Sequence, residues 1–194
     1  MGLIKREAIA GHVAEIVTLY PIEMLGTLLT KTILTMDDVC TIQVYRKVCG
    51  LGGKAYLEWT KDNCDLRPDQ ECVDATVSGG HEDVVDCIAE QLGITMLPSQ
   101  AALNEAAANG KLMLLINKCS GWELFPNADG LNGAARNGHL EVLKWLRGQG
   151  VYPNRYGANL AATNGHLKVL KWLRGQGVYP SLNGANQAAG NGHV

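Results

Sequence analysis

The chain lacks closely spaced cysteines: its six, at positions 40, 49, 64, 72, 87 and 119, never fall closer than eight residues apart. No C-x-x-C zinc or redox motif is therefore present, and a reduced, cytoplasmic protein is the simplest expectation. Long apolar runs are missing too; none approaches the roughly 18 residues that a membrane-spanning helix needs. At the start, Lys5, Arg6 and Glu7 precede an apolar stretch of the wrong length for a signal peptide. Met1-Gly2 opens like a myristoylation site, but Arg6 stands where Ser or Thr is required.

Catalytic signatures are equally scarce. No G-x-S-x-G, H-E-x-x-H or EF-hand pattern occurs, and the acidic residues show no spacing that pairs an acid with a base. GLGGKA at residues 50–55 touches two nucleotide fingerprints. A Walker loop would need Gly at Val48 and Ser or Thr at Ala55, and a dinucleotide site would need a βαβ unit that the following sequence does not offer. The expectation is a protein without catalytic residues, metal or cofactor, and without a membrane partner.

What is present is uneven in charge. Residues 1–130 carry 10 Lys/Arg against 18 Asp/Glu, net −8, while 131–194 carry 7 against 1, net +6. The densest acidic stretch runs from Asp62 to Glu90, opposed only by Arg67, and reads most simply as a solvated face.

The dominant feature is an internal repeat. Residues 137–153 read NGHLEVLKWLRGQGVYP and residues 164–180 read NGHLKVLKWLRGQGVYP, differing only at Glu141 against Lys168. A third copy begins at Asn191, so the period is 27. With Gly138, Gly165 and Gly192 as markers, weaker copies stand at Gly110 and Gly80, giving at least four units and the start of a fifth. Each unit has an Ala-rich segment, an Asn-Gly-His turn, and a run whose apolar residues Leu140, Val142, Leu143, Trp145 and Leu146 share one helical face. Asn-Gly reverses the chain by supplying positive φ, and Ala permits close helix approach. Gly148 and Gly150, or Gly175 and Gly177, end the second helix, and GVYP leads out. Such a helical hairpin cannot bury its own apolar face, so the units must stack.

The run from Ala134 to Leu146, repeated from Ala161 to Leu173, resembles the AA-x-x-GH-L-E-V-V-K-x-L core of ankyrin repeats. The resemblance covers roughly residues 72–194 and implies an all-α, ankyrin-like helical-hairpin solenoid that binds a protein partner. The period is shorter than the usual ~33 residues, and GAN at Gly157–Asn159 replaces T-P-L-H, which implies shortened connector fingers. Arrays of this short type resemble those of large DNA viruses and some protists, with the infected host cell as one possible setting.

His81, His139, His166 and His193 recur at one repeat position. A residue placed identically in every unit is expected to hydrogen-bond turn backbone rather than to ligate a metal. Gly138, His139, Trp145, Gly165, His166 and Trp172 are thus read as structural, the tryptophans by packing in the core. Lys144, Arg147, Lys168, Lys171 and Arg174 should line the outward face of successive second helices. Such a ridge is a route to nucleic acid, but no aromatics interleave with it, so nucleic acid is the remoter partner. Tyr152, Asn154, Arg155, Tyr156 and Tyr179 in the connectors carry the side chains that dominate protein interfaces, and are the expected partner contacts. The tyrosines packing between neighbouring connectors is the alternative.

Residues 19–49 differ. Pro21 can open a helix burying Met24, Leu25, Leu28 and Leu29, and Asp37 or Asp38 a second, with Val39, Ile42 and Val44 buried. Leu19, Pro21, Glu23, Leu25, Leu28, Asp38, Val39, Ile42, Val44 and Arg46 resemble an F-box, while Tyr20, Tyr45 and the missing terminal Trp depart from it. The resemblance implies docking on the Skp-type adaptor of an SCF ubiquitin ligase through Pro21, Glu23, Leu25, Leu28, Val39, Ile42 and Val44. A plain helical capping domain is the alternative. The expected organisation is an extension over 1–18, an F-box-like domain over 19–61 and repeats over 62–194 in a monomer. The last copy stops just after NGHV, so a stack cut in mid-repeat is expected.

Overall fold

The computed structural model describes residues 13–16, 18, 22, 40–92 and 96–193, and all regular structure among them is helical. The chain divides into two compact units, Met1–Pro98 and Ser99–Val194. In the first, α1 (Ile42–Leu51) and α2 (Lys54–Asn63) form one hairpin, and α3 (Gln70–Gly79) and α4 (Glu82–Leu92) a second. In the other unit α5 (Gln100–Ala108) pairs with α6 (Leu112–Trp122), α7 (Ala128–Asn137) with α8 (Leu140–Gly148), and α9 (Arg155–Thr163) with α10 (Leu167–Gly175). The first helix of a further hairpin, α11 (Leu182–Gly190), follows.

Every hairpin starts the same way. Thr41, Asp69, Ser99, Asn127, Asn154 and Ser181 each cap the first helix by accepting a backbone N–H with the side chain, which satisfies a donor that the helix leaves unpaired. The first helices form the closest-packed layer within each unit, α1 on α3 and then α5, α7, α9 and α11 in succession. Ala106, Ala107, Ala134, Ala135, Ala161 and Ala162 are buried there. Small side chains let helix axes approach, as the alanine-rich pattern predicts. Leu143, Leu146 and Leu173 fill the space between first and second helices without exposure.

Two sets of contacts join consecutive hairpins. The first helix ends with a left-handed glycine: Gly52, Gly80, Gly110, Gly138, Gly165 and Gly192 all have φ between 73° and 82°. The carbonyl two residues earlier belongs to the last turn, which has no intrahelical donor, and at Gly52, Gly110, Gly138 and Gly165 the next hairpin of the same unit supplies one. His81 Nε2 lies 3.0 Å from Gly50 O and His166 Nε2 lies 2.7 Å from Arg136 O. Asn137 Nδ2 donates to Ala108 O at 2.8 Å, and Asn191 Nδ2 to Thr163 O at 2.9 Å. The imidazole that reaches back covers the glycine itself. A Cβ on Gly138 would sit 2.6 Å from His166 Nδ1, and the same holds for Gly52 with His81, Gly110 with His139 and Gly165 with His193. His81 and His166 thus meet backbone of the preceding hairpin rather than of their own turn. Lys111 holds the equivalent position at the start of the second unit.

The second set runs at the other end of the first helix. Asn104 Oδ1 accepts from the Asn127 amide at 3.0 Å, and Asn159 Oδ1 from the Ser181 amide at 2.7 Å. Gly157 leaves room for Asn132, whose Oδ1 a Cβ there would approach to 2.8 Å. This accounts for the GAN element: its glycine admits the side chain of the previous hairpin and its asparagine reaches the next. In the first unit the same position is Arg46, which binds Asp69, the cap of α3, with Nε at 3.0 Å. Burial works to raise the Asp69 carboxyl, but the hydrogen bonds from Arg46 and the Cys72 amide outweigh it and hold Asp69 below the usual carboxylate range.

Three observations bear on the organisation expected from the sequence. The repeat register reaches back to Gly52, so residues 42–63 of the segment expected to be F-box-like form a repeat hairpin; GLGGKA is its turn, with Gly52 at φ 81°. Residues 13 and 14, expected in an extension, are buried. Cys40 and Cys64, expected reduced, are joined in a disulfide with Cα atoms 5.9 Å apart, because the cap of α1 and the end of α2 meet at the open end of the hairpin. The remaining cysteines, 49, 72, 87 and 119, are free and buried. Contact with Cys72 and burial push Cys49 up, and burial pushes Cys119 up to about 12. The expected helices over Pro21, Glu23, Leu25, Leu28 and Val39 lie outside the described residues.

Two predictions follow from this geometry. Thiol titration of the unfolded, unreduced chain should count four thiols, with none reacting rapidly in the native chain; six in the unfolded chain would show that Cys40 and Cys64 are unpaired. In urea unfolding, Gly150→Ala, at φ 86° with open space around it, should cost about 1–2 kcal/mol for the left-handed backbone alone. Gly138→Ala should cost about 2–4 kcal/mol because it also displaces His166. In a His166→Ala background that excess should vanish, and equal costs for Gly138→Ala in both backgrounds would contradict the inter-hairpin contact.

Candidate binding surface

The surface that the stack leaves free begins in the connectors. Four of them carry an apolar or aromatic residue followed by proline and the cap, Leu97-Pro98-Ser99, Phe125-Pro126-Asn127, Tyr152-Pro153-Asn154 and Tyr179-Pro180-Ser181, while the one before α3 has Arg67-Pro68-Asp69. Proline cannot extend the preceding helix and pre-sets the chain for the next one. The residue before it is consequently held at one place in every hairpin. Phe125 tucks against Trp145, ring centroids 6.0 Å apart. Tyr152 and Tyr179 do not tuck in; they are 69% and 57% exposed, and Tyr156 on the first turn of α9 is 62% exposed.

Arg155 is exposed alongside them, whereas Asn154 is committed to the fold: its Oδ1 accepts the Gly157 amide at 3.0 Å and caps α9. Asn154 is therefore a structural residue, although sequence reasoning grouped it with the contacts. Trp145 and Trp172, expected in the core, are only half-buried. Gly138, His139, Gly165 and His166 hold the structural places described above. Leu97 and Phe125 were missed as members of the connector series because neither is tyrosine; the following proline is the signal that aligns them.

The basic ridge is present. Lys144 and Arg147 on α8 and Lys168, Lys171 and Arg174 on α10 are all exposed. Glu141, the one acid on these two helices, pairs with Lys144 at 2.7 Å, and its counterpart on α10 is Lys168. The preceding second helix, α6, exposes Met113 and Ile116 instead.

Among the described residues no group of three or more His, Cys, Asp or Glu could hold a metal ion, and no helix is long and apolar enough to cross a membrane. Of the polar core residues, Thr60 and Thr76 donate to Leu57 O and Cys72 O, both at 2.8 Å. Of the F-box-like positions within the described residues, Val44 is fully buried in the α1 hairpin and Ile42 is partly exposed.

These features define an all-helical protein built of stacked hairpin repeats. No protein-family model matches the sequence, and no curated protein sequence matches it. Among solved structures, the chain is similar to the pentatricopeptide repeat protein PPR10 in complex with an 18-nt psaJ RNA element, with 14% sequence identity and a TM-score of 0.37. The match covers 94% of this chain and 31% of that one, and a cysteine-substituted form of the same complex matches with the same figures. A likeness this distant carries nothing about a ligand here.

Proposed function

We propose that the chain is a protein-binding scaffold whose second unit meets its partner through the connector tyrosines and the adjoining start of α9. The observation that carries this reading is the exposure of Tyr152 and Tyr179 at one position of two nearly identical hairpins. Large apolar rings left in solvent at a repeated, proline-fixed position do nothing for the stack. Tyrosine offers contact area with little side-chain entropy to lose, which is why it recurs at the centres of protein interfaces. The ankyrin type is the finer reading. It is supported by the GH-L-x-V-L-K-x-L sequence at the start of α8 and α10 and by hairpins closed with a left-handed glycine.

A narrower role, as adaptor of an SCF-type ligase, rests on the F-box resemblance alone. Pro21, Glu23, Leu25, Leu28 and Val39 lie outside the described residues, and burial of Val44 removes one of the proposed docking side chains. The simpler alternative is a scaffold that binds and masks its target. Titrating the intact chain with a Skp-type adaptor subunit separates the two: saturable binding supports the adaptor role, and none removes it.

The scaffold reading is tested by affinity purification followed by direct titration of the recovered partner. Replacing Tyr152 and Tyr179 by alanine should weaken binding by tenfold or more, about 1.4 kcal/mol, with an unchanged thermal midpoint. A partner held equally well by the double variant would show that the interface lies elsewhere.

A further inference from the structure

The scaffold reading leaves the partner's chemistry open, and the charge on the second unit narrows it. Residues 99–194 carry nine Lys/Arg against four Asp/Glu. The excess is concentrated rather than spread: five of the nine cations stand exposed on α8 and α10, opposed there only by Glu141. Glu141 is already engaged by Lys144, so the two helices offer no further acid to Arg147, Lys168, Lys171 and Arg174. The single difference between the two near-verbatim copies, Glu141 against Lys168, replaces an acid by a base on the solvent face. A ridge of like charges repels itself, and an opposite charge brought by a partner relieves that repulsion.

The neighbouring side chains favour a polypeptide over a nucleic acid. Leu167, on the first turn of α10, is exposed beside Lys168, and Met113 and Ile116 are exposed on α6. Apolar aliphatic groups gain from apolar side chains and gain nothing from a sugar-phosphate backbone. The last-turn cations Arg147 and Arg174 are each followed five residues later by an exposed tyrosine, so guanidinium and ring stand at the same end of each hairpin. That pairing of Arg and Tyr is the side-chain chemistry of protein interfaces.

We propose that this face binds an acidic, partly apolar segment of a partner protein, with carboxylates meeting the α8 and α10 cations and apolar side chains meeting the tyrosines and Leu167. The proposal rests on the scaffold reading and adds the partner's chemistry to it. Packed helices lie about 10 Å apart, so equivalent cations of successive hairpins recur at about that interval or somewhat more. A peptide in the polyproline II conformation rises about 3.1 Å per residue with about three residues per turn. Carboxylates at every third position of such a segment therefore fall on one side at about 9 Å intervals and match the ridge.

The test uses the intact chain and a fluorescent peptide with glutamate at every third position and leucine between, titrated at low and at raised ionic strength. Saturable binding that weakens with salt, and weakens about tenfold or more in a Lys171→Glu/Arg174→Glu variant, is the expected result. These side chains are exposed, so the variant should keep its thermal midpoint; a Lys171→Arg/Arg174→Lys variant, which retains the charge, should keep most of the affinity. No binding at low salt, or binding indifferent to charge reversal, overturns the proposal. So does a single-stranded oligouridylate of equal charge that binds as tightly as the peptide, which would assign the ridge to nucleic acid. If a partner recovered by affinity purification is lost by the tyrosine variant but kept by the charge-reversed one, the scaffold stands and the acidic-segment proposal falls.

Discussion

One contact governs the architecture within each unit: the donor that a hairpin sends back to the carbonyl two residues before the preceding hairpin's left-handed glycine. A helix end leaves its last carbonyls without partners, and the following hairpin provides donors to them from His81, Asn137, His166 and Asn191. Because glycine alone tolerates both the positive φ and the imidazole laid against it, the marker residue, the turn and the repeat length are tied together. The side chain between the caps, Asn104 or Asn159, makes the corresponding link at the opposite end of the first helix. With both ends of one helix tied to its neighbour, rotation of a hairpin about its axis is blocked, and the identity of the solvent face follows.

Much of this was legible in the amino-acid order. The 27-residue period, the Asn-Gly reversal at Gly138 and Gly165, the helix ends at Gly148 and Gly175 and the exposed cations of the second helices all follow from periodicity and from residue chemistry. The first hairpin was not legible, because its turn reads GLGGK rather than NGH and Gly52 has no histidine beside it; its histidine partner, His81, sits in the next copy. The pairing of Cys40 with Cys64 was hidden for a related reason. The two residues flank a hairpin of antiparallel helices, so their closeness depends on a turn that the sequence pattern did not reveal.

The candidate site was legible in part. Tyr152, Tyr156, Tyr179 and Arg155 are exposed as composition alone would suggest for connector residues, but Asn154 belongs to the helix cap, and only the position after proline distinguishes it. The tryptophans illustrate a limit of periodicity: Trp145 and Trp172 stand at core spacing on the second helix yet keep part of their surface in solvent. Chemistry and architecture are thus separated along each copy. The residues facing the preceding hairpin repeat because stacking demands it, whereas Glu141 and Lys168 differ where stacking demands nothing and a partner is free to select.

The most direct measurement of the stacking account is nitrogen NMR of the imidazole rings in the intact chain at a pH where they are neutral. His81 and His166 should each populate the tautomer protonated at Nε2, with that proton exchanging slowly because it is bonded to Gly50 O or Arg136 O. Rapidly exchanging rings averaging between both tautomers would contradict the account, since no such ring could be holding the preceding hairpin.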